Sequence, residues 1–355
     1  MTSLLTWTEI EDYIQQNLTP LVTAIDQHAY YPADFLKELG KKGAYQVTGK
    51  TSEEIDTQFL RLIEEAGKVC GTTAFTIWCQ AAAILYARNG ESNYIKEKLL
   101  PLLESGEVLG GTGLSNPMKY YAGMEEVRLT AVLEENGYRI NGVLPFVSNL
   151  GPGHWFGIIA QVSEEQRIMA LLPSDLLGLS LTEVTNFIGI NGSGTYKCCF
   201  KDVLIPKEYI LSEDADQWIP TIRPQFVLYQ IGIALGIIES SITSIKHLKN
   251  KQKGVNHYIH PSIEELEERT SSARKLAFQL AENPIRETQD IMNLRLGGAY
   301  LSVDATNIAM LHNGAAGYME QSNTFRRLRE AHFVASVTPA IKQLEKVLEK
   351  GWGDH

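Results

Sequence analysis

Residues Asn186 to Pro206 read NFIGINGSGTYKCCFKDVLIP, and this stretch decides the fold. Its first half gathers Gly189, Gly192, Ser193, Gly194 and Thr195. Glycines in such a run let the backbone turn at positive φ, or let another group lie close against it. Tyr196 to Val203 then read as a strand, and Pro206 stops it because proline has no N–H for the ladder. The spacing predicts a tight turn at 189–195 that feeds a strand and carries something packed on its glycines.

Strand texture extends upstream of that turn. VRLTAVLEENGYRINGVLPFVSN, from Val127 to Asn149, alternates apolar and polar residues around Asn136-Gly137, a strong hairpin signal. HWFGIIAQV (154–162) and QRIMALLP (166–173) continue it. Several short strands with turns between them predict a compact β domain, a barrel or sandwich.

On either side the period changes to that of helices. TSEEIDTQFLRLIEEAGKV opens with Thr51 and Glu54 in capping-box spacing, and Ile55, Phe59, Ile63, Ala66 and Val69 then recur on one face. GTTAFTIWCQAAAILYA (71–87) is small and apolar all round, as in a helix packed on several sides. Pro32 suits the first turn of a helix over YYPADFLKELGKKG, which Gly40 or Gly43 ends. Downstream, FVLYQIGIALGIIESSITSIKHL carries Gly232 and Gly236 four apart, a spacing that admits a second helix at close range. Pro261 suits the start of the helix over PSIEELEERTSSARKLAFQLAE, and two further helical stretches follow. The expected organisation is α+β and multi-domain: helices over 1–107, a β domain over 108–217 and a helical bundle over 218–355.

Bulk properties narrow the function. The chain has 355 residues, 44% of them hydrophobic, enough for two or three packed units. A net charge of −10 excludes a basic nucleic-acid footprint and disfavours an anionic membrane surface. The longest apolar runs each contain a Gln and fall short of the roughly 20 apolar residues of a membrane span. The acidic start, MTSLLTWTEIED, is not that of a signal peptide. Four cysteines (Cys70, Cys79, Cys198 and Cys199) make no disulfide or metal framework, so a reduced, cytoplasmic setting without a metal site is expected.

Three local motifs, in this order between helical segments, resemble the acyl-CoA dehydrogenase family of FAD flavoproteins over Phe35 to Leu344. YIKEKLLPLLESGEVLGGTGLSNP is similar to the lead into that family's first flavin-contact loop, with Ser115, Asn116 and Pro117 where Thr-Glu-Pro is usual. Phe146, Val147, Ser148 and Asn149 match an aromatic-Ile-Thr-Asn strand end, and GINGSGTYKCCFKDVLIP matches the Gly-x-x-x-Ser-x-Thr turn and its strand. The resemblance implies FAD between a β-barrel and a four-helix bundle, a small-molecule or acyl-thioester substrate, and a homodimer or homotetramer. It also implies flavin contacts at Thr112, Leu114, Ser115, Phe146 and Ser148, and places Asn313 and Gly314 in the motif for the cofactor's far end. The glycine turn would then face the bundle.

The pattern breaks where the chemistry should sit. Dehydrogenation of a thioester needs a base within reach of the acidified C–H. After Arg329, Glu330 and Ala331 the family's glutamate position falls on Thr338, followed by Pro339; the alternative positions are Gln225 and Phe226. None of these side chains ionises. His332, one turn before Ser336, reads either as a general base or as a plain helix-surface residue. The family's arginine contact to the diphosphate has no counterpart, leaving Lys249, Lys251 and Lys253 as point charges. Three readings therefore stay open: an FAD-dependent oxidoreductase without the usual base, a flavin-dependent monooxygenase of the same fold, or a non-catalytic relative.

Overall fold

A computed structural model describes residues 6–353. The chain opens on helices α1 (Trp7–Leu18), α2 (Val22–Gln27), α3 (Ala33–Lys41), α4 (Ser52–Val69), α5 (Gly71–Asn89) and α6 (Leu100–Glu104). Strand β1 (Gly110–Thr112) and helix α7 (Ser115–Tyr121) follow. The sheet continues with β2 (Leu129–Glu134), β3 (Gly137–Val147), β4 (Trp155–Gln161), β5 (Arg167–Pro173), β6 (Leu179–Glu183), β7 (Tyr196–Pro206) and β8 (Ile210–Ser212). Helices α8 (Ala215–Leu248), α9 (Ile263–Glu282), α10 (Thr288–Asn313), α11 (Asn323–Ser336) and α12 (Ile341–Lys350) complete it.

Local signals set these elements. Thr51 caps α4 reciprocally: its Oγ1 accepts from Glu54 N at 3.3 Å, and its own N–H donates to Glu54 Oε2 at 2.7 Å, a motif worth about 1 kcal/mol. Ser262 and Glu265 make the same box on α9, so Ser262, and not Pro261, supplies that start. Pro32 likewise stands at the N-cap of α3 instead of within its first turn. Residues Ser115–Tyr121 form the short helix α7.

Among the described residues eight strands form one sheet, ordered β6-β7-β3-β2-β4-β5-β8, with β1 parallel to β4. The expected hairpin forms, but Glu134 pairs with Gly137, so its two turn residues are Glu135 and Asn136, one position before the Asn136-Gly137 read from the sequence. In a flat sheet β4 and β7, three steps apart, would stand about 14 Å from each other. Phe156 on β4 and Phe200 on β7 have ring centroids only 6.3 Å apart. The sheet therefore curls over a core of its own, built from Leu129, Ile140, Phe156, Ile158, Phe200, Val203 and neighbours.

A second, larger core is continuous from α1 through α5 into α8, α10 and α11. Its tightest joint is the crossing of α4 and α8, as the Gly232–Gly236 spacing predicts. A Cβ on Gly236 would stand 2.4 Å from Glu64 O, and one on Gly232 would stand 2.7 Å from Leu60 O. Helix α8 is long and apolar enough to cross a membrane, yet 89% of its apolar window is buried inside the fold.

The glycine turn packs on two partners. Gly189 faces the bundle, where a Cβ would come 3.2 Å from Arg329 Cβ on α11. Gly192 lies against the N-terminal helices instead, with Tyr30 O and Ile25 O at 2.6 and 2.7 Å from its absent Cβ. Gly194 takes φ +57 and meets Tyr31 and Leu150 O. Two backbone bonds, Asn149 N to Ser193 O (3.0 Å) and Leu150 N to Gly194 O (2.9 Å), tie the end of β3 to this turn.

Candidate active site

A cavity of about 360 Å³ opens where β1, β3 and the glycine turn meet α5, α8 and α11. Thr112 at the end of β1, Ser115 and Lys119 of α7, and Phe146 and Ser148 at the end of β3 line one side. Phe187, Ile188, Gly189, Ile190 and Thr195 come from the turn; Phe75 and Trp78 from α5; and Phe226 from α8. Arg329, His332, Phe333, Ser336, Val337 and Thr338 close it from α11 and the residues after it.

Two kinds of wall result. Hydroxyls edge the sheet side: Ser148 Oγ and Thr195 Oγ1 are 2.7 Å apart, Thr195 Oγ1 and Ser193 Oγ 2.7 Å, Thr112 Oγ1 and Tyr86 OH 2.7 Å, and Ser115 Oγ and Thr338 Oγ1 2.9 Å. Aromatic rings make the floor. Phe75 stacks on Trp78 (5.6 Å, 15°), Phe333 meets Phe75 edge-on at 4.5 Å, and Phe226 meets Trp78 edge-on at 4.8 Å. The Trp78 indole N–H, which would be costly to leave unpaired, donates to Phe226 O at 3.1 Å. Phe146 stands 52% exposed and touches Phe187 at 5.7 Å. Flat apolar faces with a few hydroxyls at the edge suit a planar heteroaromatic ring.

Backbone strain collects at the same place. Ile190 is β-branched yet has φ +61, and Asn149 has φ +60; such residues cost on the order of 1–3 kcal/mol each and persist where the surroundings hold them. Asn149 is held by Tyr31 OH donating to its Oδ1 at 2.6 Å and by its own Nδ2 donating to Gly110 O at 2.7 Å.

Among the described residues no Asp or Glu lines the cavity, and its ionisable lining groups are Lys119, Arg329 and His332. Lys119 is paired with Glu125 at 3.1 Å. Arg329 grips Asp26 through Nη1 (2.8 Å) and Nη2 (2.6 Å) and donates to Ile188 O at 2.9 Å. Glu330 turns away, pairing with Arg326 at 2.8 Å and accepting from Thr72 N at 3.2 Å. The His332 ring has no hydrogen-bond partner among the described residues. Among those residues no group of three His, Cys, Asp or Glu is placed to hold a metal ion.

The structure brings together Thr112, Ser115, Phe146, Ser148, His332 and Thr338, six of the residues singled out from the sequence. Leu114 is buried in the core, and its N–H donates to Thr112 Oγ1 at 3.4 Å. Asn313 and Gly314, at the end of α10, are not brought to this cavity; Asn313 lines a separate cleft with Ser244, His247 and Arg327. The aromatic floor was missed. Its signal is the i, i+3 pair Phe75 and Trp78 inside an otherwise small-residue helix.

Helices, a curled sheet and a helical bundle around such a cavity make the acyl-CoA dehydrogenase fold. No family model matches the chain. It is 23% identical to the short-chain specific acyl-CoA dehydrogenase of Clostridium acetobutylicum, covering 96% of this chain and 95% of that protein. It is 22% identical to the cyclohexane-1-carbonyl-CoA dehydrogenase of Geobacter metallireducens, over 96% and 94% of the two chains. Among solved structures, butyryl-CoA dehydrogenase from Megasphaera elsdenii superposes with a TM-score of 0.86 at 20% identity, over 98% and 99% of the chains. A prolyl acyl carrier protein oxidase gives 0.86 at 16% identity, over 97% and 96%. The chain is thus similar to acyl-CoA dehydrogenases along nearly its whole length and shares their fold.

Proposed function

We propose that the protein is an FAD-dependent oxidoreductase acting on an acyl thioester or a related small molecule, without a glutamate base. The observation that carries this reading is one cavity with hydroxyl edges, aromatic walls and no lining carboxylate. Bound FAD would supply a two-electron acceptor. Ser115, Ser148 and Thr112 offer hydrogen-bonding groups for the polar edges of its ring system, and Phe146 an apolar face. Phe75, Trp78, Phe226 and Phe333 keep water from the acyl group.

Dehydrogenation removes a proton from one carbon and a hydrogen with its electron pair from the next, leaving a C=C bond. The Thr338 hydroxyl does not ionise near neutrality, and Lys119 and Arg329 are held by carboxylates. His332 is the remaining lining group whose ring nitrogen can accept a proton. Oxygenation of the substrate by the same fold is the second reading, favoured by the same lack of a lining carboxylate. The carrier is coenzyme A, as in the names of the dehydrogenase relatives, or a carrier protein, as in the name of the oxidase.

A cytoplasmic homodimer or homotetramer completes the reading. Free cysteines fit a reduced compartment. Tyr258, Leu311, Tyr318 and Met319 form exposed apolar surface at one end of the bundle, suited to a second copy. A visible spectrum of the purified protein tests the cofactor: flavin bands, or their appearance on adding FAD, are expected, and a colourless protein that takes up no FAD overturns the reading. Anaerobic mixing with a panel of acyl thioesters then tests the reaction. Bleaching supports dehydrogenation, and turnover only with O₂ and a separate reductase supports oxygenation.

A further inference from the structure

Arg295 on α10 is 1% exposed and has no carboxylate partner among the described residues. Three other arginines with buried side chains are neutralised, Arg167 by Asp216, Arg286 by Asp56 and Arg326 by Glu330, whereas Arg223, with no carboxylate partner among the described residues, lies over the Trp352 ring at 3.8 Å. Arg295 instead donates Nε to Gln230 Oε1 at 2.9 Å and Nη2 to Val334 O at 2.7 Å, while Nη1 has no partner. Burial lowers its pKa to about 10, so it stays charged at neutral pH. A buried charge left unpaired is costly, and a stable fold retains one where something answers it.

Both bonds lead to the cavity. Val334 begins the last turn of α11, whose Ser336 and the following Val337 and Thr338 are lining residues. Gln230 sits one helical turn after Phe226, directly behind the aromatic wall, and its Nε2 donates to Thr338 O at 2.9 Å. Thr338 Oγ1 in turn meets Ser115 Oγ at 2.9 Å. Two hydrogen bonds therefore connect the guanidinium to the carbonyl of Thr338, and one connects it to Val334.

We propose that Arg295 is a positioning residue that clamps the 334–338 turn against the cavity and lends it an unneutralised positive charge. In a low-dielectric interior such a charge acts over several ångströms and favours whatever gains negative charge beside it. Two-electron reduction of a bound flavin is such a change, so this half of the proposal rests on the FAD reading above. A packing role alone would not reach the flavin's potential.

The test compares wild type, Arg295→Met and Arg295→Lys as full-length proteins. Three quantities are measured: thermal unfolding, amide hydrogen exchange over residues 334–338 before any addition, and the two-electron midpoint potential after loading with FAD. Arg295→Met is expected to keep its melting temperature, since an unpaired buried charge is no source of stability. It is expected to exchange at least tenfold faster at 334–338. It should also favour oxidised over reduced flavin tenfold more than wild type does, a fall of about 30 mV. Arg295→Lys keeps the charge but not the fork; its potential stays near wild type while its exchange rises, and it alone decides if the Met variant does not fold. Unchanged exchange, or an unchanged potential in Arg295→Met, overturns the proposal. If wild type takes up no FAD the functional reading fails, and exchange alone then judges Arg295: faster supports the clamp, unchanged overturns it.

Discussion

Ser115 Oγ and Thr338 Oγ1 meet at 2.9 Å across the cavity, joining α7 to the turn that follows α11. Thr338 is buried, its carbonyl is taken by Gln230, and Pro339 restricts its backbone to extended conformations. A longer acidic side chain there must displace the Ser115 contact without freedom to re-aim. Thr338→Glu is therefore expected to cost about 1–3 kcal/mol of stability. It should raise the rate of anaerobic flavin bleaching by acyl thioesters less than about tenfold. Stopped-flow absorbance checks this, and a gain of several hundredfold would refute it.

Phe146 separates binding from folding. Its ring is half exposed and meets the Phe187 ring edge-on at 5.7 Å, so its removal leaves little cavity behind. Phe146→Ala is expected to shift unfolding by no more than about 0.5 kcal/mol. It should weaken FAD at least tenfold, about 1.4 kcal/mol. Flavin fluorescence titration beside a urea melt measures both. Equal FAD affinity in the two proteins would remove Phe146 from the cofactor side.

What the sequence reveals here is what neighbours in the chain decide. The Thr51–Glu54 box, the hairpin around Asn136 and the strand from Tyr196 rest on residues a few positions apart, and each forms, the turn one residue earlier than read and the strand running past Val203 to Pro206. Gly232 and Gly236 announce a close crossing, although only the fold names Glu64 and Gly67 as the partners. The floor of the cavity was hidden because Phe75, Trp78, Phe226 and Phe333 come from three helices far apart in sequence. Their pattern within each helix is that of ordinary core. Arg295 was hidden for the same reason: its significance lies in the carboxylate that is missing around it.

Trp78 closes the floor at 2% exposure, stacked on Phe75 and pinned by Phe226 O. Trp78→Leu deletes ring volume there and is expected to cost about 2–4 kcal/mol by thermal unfolding. Where substrate reaches this wall, the space gained admits a longer acyl chain. The chain length that bleaches the flavin fastest should then move up by about two carbons, each worth roughly 0.8 kcal/mol of burial. An unchanged length profile would mean that the acyl group does not reach α5.

The α4–α8 crossing gives a pair of opposite expectations. A methyl on Gly236 meets Glu64 O at 2.4 Å and Gly67 backbone at 2.6 Å, atoms that cannot swing aside. Gly236→Ala should destabilise by about 1–3 kcal/mol or more. Gly297, also inside a helix, has nothing within 4 Å of its absent Cβ. Gly297→Ala should stabilise by about 0.5–1 kcal/mol through backbone entropy alone. Urea midpoints of both variants check the contrast.

Glu64 at that crossing adds a pH dependence. It is 2% exposed, donated to by Arg274 Nε at 2.8 Å, and its Oε2 has no partner. Burial raises its pKa above the ordinary glutamate value, an effect that Arg274 only partly offsets. A carboxyl whose folded pKa lies above its unfolded one contributes stability that is fully present below the unfolded pKa. That contribution is lost as pH rises through the folded pKa. Glu64→Gln carries no such titration. Its stability relative to wild type should therefore improve as pH rises from about 4.5 to 7, the window above the ordinary glutamate value of 4.5. Urea melts of both proteins at intervals across that range measure the difference. A relative stability that instead falls with rising pH would mean that Arg274 outweighs desolvation, and that the buried carboxylate strengthens the joint between α4 and the bundle.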